Sequence, residues 1–225
     1  REHGPAVMAA LDVHQVAFDR AAADNDYPAY QAIFNALRAL APNSLSLVER
    51  AARMIALNKT AHNGLYRKNK GLGEFNAPCG RHDRPDGTFR APRLYNGENM
   101  RRVAAALVGV QLEVRDIVAA IDAALPGEVI FCDPPYDPIV KGGFVSYDGA
   151  GFSDEDQART AQALHRAAKR GCYVVAMNHD TPMISELYRG FTMHIVYALR
   201  SMSAKGDGRG LKPELLMVLD GRRAA

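Results

Sequence analysis

The sequence lacks the features that mark a secreted or membrane-spanning protein. It has three cysteines and no Cys-x-x-Cys pair, which disfavours a disulfide framework and a zinc site. No apolar run approaches the roughly 20 residues that a transmembrane helix needs, and no segment resembles a signal peptide. Cys132 and Cys172 lie in apolar, strand-like runs, so we predict that both are reduced core residues of an intracellular protein.

The composition is that of a globular protein with a slight positive charge. Of 225 residues, 48% are hydrophobic and 24% are charged, which suits one large domain or a domain with a substantial insertion. The formal net charge of +3 permits nucleic-acid binding without requiring it. The chain begins with Arg1 rather than Met, from which we expect a fragment or a processed product of a longer protein.

The first half of the chain is predicted to be mainly helical. Runs rich in Ala and Leu with helical spacing indicate helices at residues 6–22, 27–40, 45–57, 99–109 and 117–125. Asn43-Ser44 resembles the start of the third of these helices. Residues 58–98 are richer in Gly, Asn, Pro and Arg, which indicates loops and a hairpin. A short strand is predicted at residues 112–114.

From residue 129 onward, strands and helices alternate. The predicted strands cover residues 129–132, 172–177, 192–199 and 214–219, and the predicted helices cover 153–170 and 183–188. This alternation predicts an α/β fold with a largely parallel, doubly wound sheet. The last two strands have no helix between them, which indicates an antiparallel hairpin at one edge of the sheet.

The motif Asp133-Pro134-Pro135-Tyr136 follows a run that is typical of a buried strand. It therefore lies at the carboxyl end of a strand, where open α/β sheets place their ligands. The Asp133 carboxylate and the Pro134 carbonyl can accept the two hydrogens of a planar amine, and the Tyr136 ring can stack on the heterocycle that carries it. This set predicts methylation of a nucleobase amine. The alternative is an ordinary tight turn, since Asp-Pro and Pro-Pro are common turn dipeptides.

A second motif lies in the loop region, where runs at 63–69 and 73–81 flank a turn rich in Lys and Gly at 70–73. This pattern predicts a hairpin. Its basic residues and those just beyond it are Arg67, Lys68, Lys70, Arg81, Arg84, Arg90 and Arg93. Composition alone favours a solvated surface hairpin. The functional alternative is DNA contact, in which an arginine reads a guanine edge and other basic residues bind phosphates.

Together these motifs resemble those of DNA adenine N6-methyltransferases of the Dam type. Asn-Gly-Leu-x-Arg-x-Asn at 63–69, Gly-Glu-Phe-Asn-x-Pro-x-Gly at 73–80, the motif at 133–136 and Asn-His-Asp-Thr at 178–181 occur in the family's order. The resemblance covers roughly residues 45–219. It implies a class I methyltransferase-like (Rossmann-like) sheet, N-terminally incomplete, in residues 106–225. Residues 1–105 would form a helical target-recognition region, with a DNA-contacting hairpin at about 58–93.

The resemblance also implies a reaction and its residues. The enzyme would transfer a methyl group from S-adenosylmethionine to N6 of a flipped adenine in a GATC-like site of duplex DNA, directly and in line. Asp133, Pro134, Pro135 and Tyr136 would form the catalytic motif. Asp133, Asp116 and Ile117 would contact the cofactor. Asn63, Leu65, Arg67 and Pro78 would contact bases, and Arg81 a phosphate.

The sequence departs from the family pattern in three places. His62 stands where an aromatic residue is common, the turn at 70–73 is one residue longer, and no Gly-rich cofactor loop (F-x-G-x-G) is present. Three explanations for the missing loop follow, in order of preference: a fragment of a longer enzyme, a second polypeptide that supplies the missing strands, or a degenerate relative that binds DNA without catalysis.

Further expectations concern partners and neighbouring motifs. We expect a cytoplasmic, nucleoid-associated monomer that binds double-stranded DNA, with no metal and no membrane. A cytosine N4-methyltransferase is the alternative enzyme, but Asp133 argues against it because those enzymes more often carry Ser there. In Asn178-His179-Asp180 we predict a structural role, with Asn and Asp capping the turn and His bonding locally. The loop at 201–210 could close over DNA.

Overall fold

A computed structural model describes residues 3–67, 75–139, 151–200 and 210–224. The chain divides into two compact units, Arg1–Gln111 and Leu112–Ala225. The first unit is built from helices and irregular loops, and the second contains the sheet.

The predicted helices of the first unit are confirmed with small shifts at their ends. They are α1 (Gly4–Ala23), α2 (Tyr27–Ala39), α3 (Leu47–Thr60) and α4 (Gly97–Ala106). The start of α3 is corrected, because a capping box of Ser46 and Glu49 opens the helix rather than Asn43-Ser44.

Aromatic side chains fill the core of the first unit. Phe18, Tyr30 and Phe34 from α1 and α2 are almost fully buried, and Phe89 meets Tyr30 edge to face with ring centroids 5.4 Å apart. The buried guanidinium of Arg53 donates to the carbonyls of Leu37 and Arg38, each at 2.8 Å. These bonds satisfy carbonyls at the end of α2 that have no partner within the helix, and they join α3 to α2.

The second unit places helices against a four-stranded sheet in the described residues. Its elements are α5 (Ile117–Asp122), β1 (Val129–Cys132), α6 (Asp154–Lys169), β2 (Tyr173–Asn178), α7 (Pro182–Leu187), β3 (Thr192–Arg200) and β4 (Gly210–Asp220). The strand order is β1-β2-β4-β3. Cys132 and Cys172 are buried free thiols, as predicted.

The expectation of a largely parallel sheet is wrong for the described strands. Only β1 and β2 pair in parallel, whereas β4 is antiparallel to both β2 and β3. The reason is that only nine residues separate the end of β3 at Arg200 from the start of β4 at Gly210, fewer than a parallel crossover needs, so β4 must reverse direction. The predicted antiparallel hairpin at the edge of the sheet is confirmed.

Two further expectations are corrected at the start of the second unit. Residues 112–114 form no strand, and the Leu112 and Val114 side chains are exposed, so the short alternation there does not bury an apolar face. The strand β1 exists but is not buried as a whole, since Val129 and Phe131 are 64% and 65% exposed. In the described residues β1 pairs only with β2, which leaves one of its edges open.

The core of the second unit lies between α6 and the sheet. Leu164, Ala168, Val174, Ala176 and Met217 are all buried there. Gly221, just after β4, approaches α6 so closely that a Cβ atom would lie 1.9 Å from the Ala168 carbonyl oxygen. Only glycine allows this approach of two backbones.

Candidate active site and recognition loop

The motif at 133–136 leaves β1 at the carboxyl end of the two parallel strands. Cys132 pairs with Ala176, so Asp133 begins its loop beside the end of β2 at Asn178. Asp133 is exposed, Pro134 is buried and Tyr136 is half-buried. The structure thus places an accessible carboxylate on a loop that is anchored by a buried proline.

Two buried side-chain amides, those of Asn178 and Gln157, hold this loop through hydrogen bonds. The Asn178 Oδ1 accepts from the backbone N–H groups of Asp137 (2.8 Å) and His179 (2.9 Å). Its Nδ2 donates to Gln157 Oε1 at 3.1 Å, and Gln157 Nε2 donates to the Pro135 carbonyl at 2.8 Å. Both amides are essentially buried. The sequence analysis missed Gln157, although a glutamine among the inward-facing Ala and Leu positions of α6 is an unusual choice.

The Asn178-His179-Asp180 segment has a structural role, as predicted. His179 Nδ1 lies 2.6 Å from the Asp137 carbonyl, which can only accept, so Nδ1 carries the proton. Thr181 caps α7 with its hydroxyl and also donates to Asp137 Oδ2 at 2.6 Å. Asp180 Oδ1 accepts from the Ser185 hydroxyl at 3.4 Å, and the capping of the turn by Asp180 stays a prediction.

Tyr136 is oriented by two contacts. Its hydroxyl donates to Glu214 Oε2 at 3.2 Å, and its ring meets the His179 ring nearly at a right angle, with centroids 5.1 Å apart. Burial, followed by the nearby Asp133 and Glu214 carboxylates, raises the pKa of the Tyr136 hydroxyl well above its ordinary value. The hydroxyl therefore remains a donor at neutral pH. Glu214 was also missed by the sequence analysis.

Ile117 and Asp116, the other two residues predicted to contact the cofactor, occupy different surroundings. Ile117 lines a cavity of about 500 Å³ together with Phe131 and Asp133, so the structure brings Ile117 and Asp133 to one site. Asp116 is not among the lining residues of that cavity. Its carboxylate caps α5 by accepting from Ala119 N at 3.1 Å and pairs with Arg159 at 2.6 Å. These two partners lower the pKa of Asp116, the backbone N–H being the larger cause.

The two stretches on either side of the predicted turn, called the flanks, are joined by an isolated bridge and single hydrogen bonds rather than paired as regular strands. Ala61 and Cys79 form an antiparallel bridge, His62 N donates to the Pro78 carbonyl at 2.9 Å, and Asn76 N donates to the Arg67 carbonyl at 2.9 Å. The turn at 70–73, with Lys68 and Lys70, lies outside the described residues.

The residues predicted to contact bases lie on these flanks. Asn63 is exposed in a left-handed conformation (φ 54°), and Leu65 is half-buried just after it. Arg67 is exposed, and its Nε donates to Asn76 Oδ1 at 2.7 Å, which fixes the direction of the guanidinium. Pro78 is exposed on the other flank. The first unit therefore presents these four side chains on neighbouring stretches of one loop.

Arg81, the predicted phosphate contact, has partners within the first unit. It pairs with Asp83, and its guanidinium carbon lies 5.0 Å from the Tyr27 ring centroid and 5.6 Å from that of Phe89. Its side chain is 42% exposed. The guanidinium is thus held in one place while part of it faces solvent.

Two kinds of feature are absent from the described residues. They contain no group of three or more His, Cys, Asp or Glu side chains arranged to hold a metal ion. Across the described ranges, no helix combines the length and the apolar character needed to cross a membrane.

The sequence matches the family described as D12 class N6 adenine-specific DNA methyltransferase over residues 15–202. The chain therefore belongs to this family. The four-stranded mixed sheet with its helices is consistent with a class I methyltransferase-like fold, so the predicted fold class and the resemblance to adenine N6-methyltransferases are confirmed.

Several relatives share this similarity. The DNA N-6-adenine-methyltransferase of Escherichia phage P1 is 36% identical over 198 residues, which is 87% of this chain and 25% of the phage protein. The type II methyltransferase M.MjaIII of Methanocaldococcus jannaschii is 35% identical over 74% of this chain and 56% of its own length. The DNA adenine methylase of Escherichia coli K12 is 33% identical over 75% and 58%. The chain thus spans between a quarter and about three fifths of these relatives.

Proposed function

We propose that this protein transfers a methyl group from S-adenosylmethionine to N6 of adenine in double-stranded DNA. The observation that carries the proposal is the placement of Asp133 and Pro134. They stand at the carboxyl end of β1, on a loop held by buried hydrogen bonds from Asn178 and Gln157, in a member of an adenine-specific family. The family match also favours adenine over the alternative of cytosine N4 methylation.

The cavity beside β1 suits the cofactor. Its walls combine the apolar side chains of Ile117, Ile121 and Phe131 with the charged residues Arg115, Glu128 and Asp133. Such a surface fits a ligand that combines a flat heterocycle with a positively charged amino acid portion. Ile117 and Asp133 would hold S-adenosylmethionine, which when bound supplies a methyl group on a sulfonium. Asp116 would act indirectly, by capping α5 beside this cavity.

The chain's own residues would orient the adenine amine. Pro134 has a fixed φ and no N–H, so its carbonyl is held in place as an acceptor for one amino hydrogen. Asp133 would accept the other hydrogen and stabilise the positive charge that grows on N6. Tyr136 would stack on the base after the base has left the duplex, since the amine is out of reach inside the stack. Catalysis would come mainly from positioning and electrostatic stabilisation.

The first unit would supply target recognition, and the second unit catalysis. Arg67, oriented by Asn76, would read a guanine edge, with Asn63, Leu65 and Pro78 against neighbouring bases. Arg81 would bind a phosphate with the part of its guanidinium that faces solvent. A GATC-like site is the target that the Dam-type motifs favour.

The test is methylation by the protein expressed with its full reading frame. We expect N6-methyladenine, measured by mass spectrometry of digested duplex DNA, and we expect its loss in the Asp133→Ala variant with DNA affinity largely kept. Calorimetric titration with S-adenosylhomocysteine reports cofactor binding separately. DNA binding without cofactor binding or methylation would refute an enzyme and identify a DNA-binding relative. Full turnover by Asp133→Ala would refute the role of Asp133.

A further inference from the structure

A second carboxylate, Glu214, lies at the same edge of the sheet as the Asp133 loop. Glu214 is on β4, next to Leu215, which pairs with Asn178 at the end of β2. It is therefore one residue beyond the carboxyl end of β2. Its residue exposure is only 8%. Burying a carboxylate is costly unless hydrogen bonds compensate for the lost water, so its partners define its role.

Two carboxylates, those of Glu214 and Asp133, compete for the Tyr136 hydroxyl hydrogen. A tyrosine hydroxyl has one hydrogen to donate. The hydroxyl lies 3.2 Å from Glu214 Oε2, to which it can donate, and the Asp133 carboxylate is a second acceptor for the same hydrogen. If Glu214 could not accept, the proton would turn toward Asp133 and occupy an acceptor position that the adenine amine needs.

Glu214 also complements the buried amide pair. Asn178 and Gln157 hold the backbone of the loop through Asp137 N and the Pro135 carbonyl. Neither of those bonds reaches the Tyr136 side chain, whose ring is oriented by Glu214 at the hydroxyl end and by the ring of His179. The loop backbone and the ring thus have separate supports.

We propose that Glu214 is a positioning residue for methyl transfer: it accepts the Tyr136 hydroxyl proton, holds the plane of the ring, and leaves the Asp133 carboxylate available to the adenine amine. This inference rests on the proposed function and adds to it a residue outside the family match, which ends at residue 202. Glu214 acts through Tyr136 and Asp133 and need not touch the substrate.

The test compares substitutions at both ends of the hydrogen bond. Glu214→Leu removes the acceptor, Glu214→Gln keeps an acceptor oxygen without the charge, and Tyr136→Phe removes the donor. Single-turnover methylation at saturating DNA and S-adenosylmethionine measures the chemical step, and DNA affinity is measured separately. Glu186→Gln is the control, because Glu186 is exposed on α7 and pairs with Arg189 on the surface.

We expect Glu214→Leu to slow single-turnover methylation by roughly 10-fold or more, the size expected for a hydrogen bond to a charged group. DNA affinity should change by less than about two-fold, and Glu214→Gln should restore most of the rate. In a Tyr136→Phe background, Glu214→Leu should add little, because the two substitutions remove the same interaction. Glu186→Gln should match the unsubstituted protein.

Two results would overturn the inference. One is a normal rate in Glu214→Leu, and the other is full additivity of Glu214→Leu and Tyr136→Phe. Urea unfolding of the unsubstituted protein, Glu214→Leu, Tyr136→Phe and the double variant measures the energetic coupling of the two side chains without a methylation assay. It therefore tests the hydrogen bond separately from the proposed function. A protein that shows energetic coupling of the pair but no methylation refutes the function and this role with it. A protein that methylates DNA without coupling refutes the role alone.

Discussion

Asn178 offers a direct test of how the candidate active-site loop is held. Replacing it with alanine removes the acceptor for the N–H groups of Asp137 and His179 and the donor to Gln157. Asn178 is fully buried, Gln157 is 1% exposed and His179 is 9% exposed. Water therefore has little access to the groups left behind, whereas Asp137 is only half-buried and can regain a water partner.

The expected loss of stability in Asn178→Ala follows from the number of buried hydrogen bonds that the substitution removes. Losing the hydrogen bond of a buried polar group costs about 1–3 kcal/mol, and Asn178→Ala removes two such bonds, those of the His179 N–H and the Gln157 side-chain oxygen. We expect Asn178→Ala to lower the free energy of unfolding by about 2–6 kcal/mol. That is a large fraction of the roughly 5–15 kcal/mol that stabilises a typical domain. Methylation should fall as well, because the loop that carries Asp133 loses its anchor.

The assay is urea unfolding followed by circular dichroism, with the midpoint and slope analysed together. Asn99→Ala is a matched control, since Asn99 is exposed on α4 and surface changes of this kind usually stay within about 0.5 kcal/mol. Asn178→Asp keeps an acceptor for both N–H groups and should retain more of the loop order than alanine. A loss below about 1 kcal/mol in Asn178→Ala would refute the reasoning, because it would mean that these hydrogen bonds are replaced by water.

Three other predictions follow from individual residues. Gly221→Ala should destabilise the protein by at least about 2 kcal/mol in urea unfolding, because its Cβ would collide with the Ala168 carbonyl; Gly4→Ala, where nothing lies within 4 Å, should not. Arg67→Ala should relax the preference at one base pair by about 1–3 kcal/mol in methylation assays on a panel of sites, and an equal loss on every sequence would instead mark a phosphate contact. The buried Tyr188 hydroxyl has no hydrogen-bond partner in the described residues, so Tyr188→Phe should leave stability unchanged or increase it. Burial raises the pKa of Tyr188 above its ordinary value near 10, so stability should fall as pH rises above about 10 and should fall less steeply in Tyr188→Phe; an identical slope would contradict this.

Local signals in the sequence predicted most of the secondary structure. The helix α6 begins just after its N-cap Ser153, whose capping box with Asp156 is complete within four residues. The strand β1 ends where the apolar run meets Asp133, so the position of the motif at the end of a strand could be predicted. Short-range hydrogen bonds and residue spacing suffice for such features because all of their partners lie close together in the sequence.

The direction of the strands and the exposure of β1 could not be predicted in this way. A strand forms only where another strand supplies hydrogen bonds, so residues 112–114 remain irregular despite their alternation. Likewise, the apolar side chains of Val129 and Phe131 predict burial, but their exposure depends on which elements cover them.

The sequence by itself determined the family, the helices with their caps, and the motif that places Asp133 and Pro134 after a strand. Tertiary structure alone decided how that motif is supported. Gln157, Asn178 and Glu214 lie 22, 41 and 78 residues from the loop residues that they bond. Hydrogen bonds over such separations depend on how strands pair and how α6 packs, and no local pattern in the chain records that arrangement.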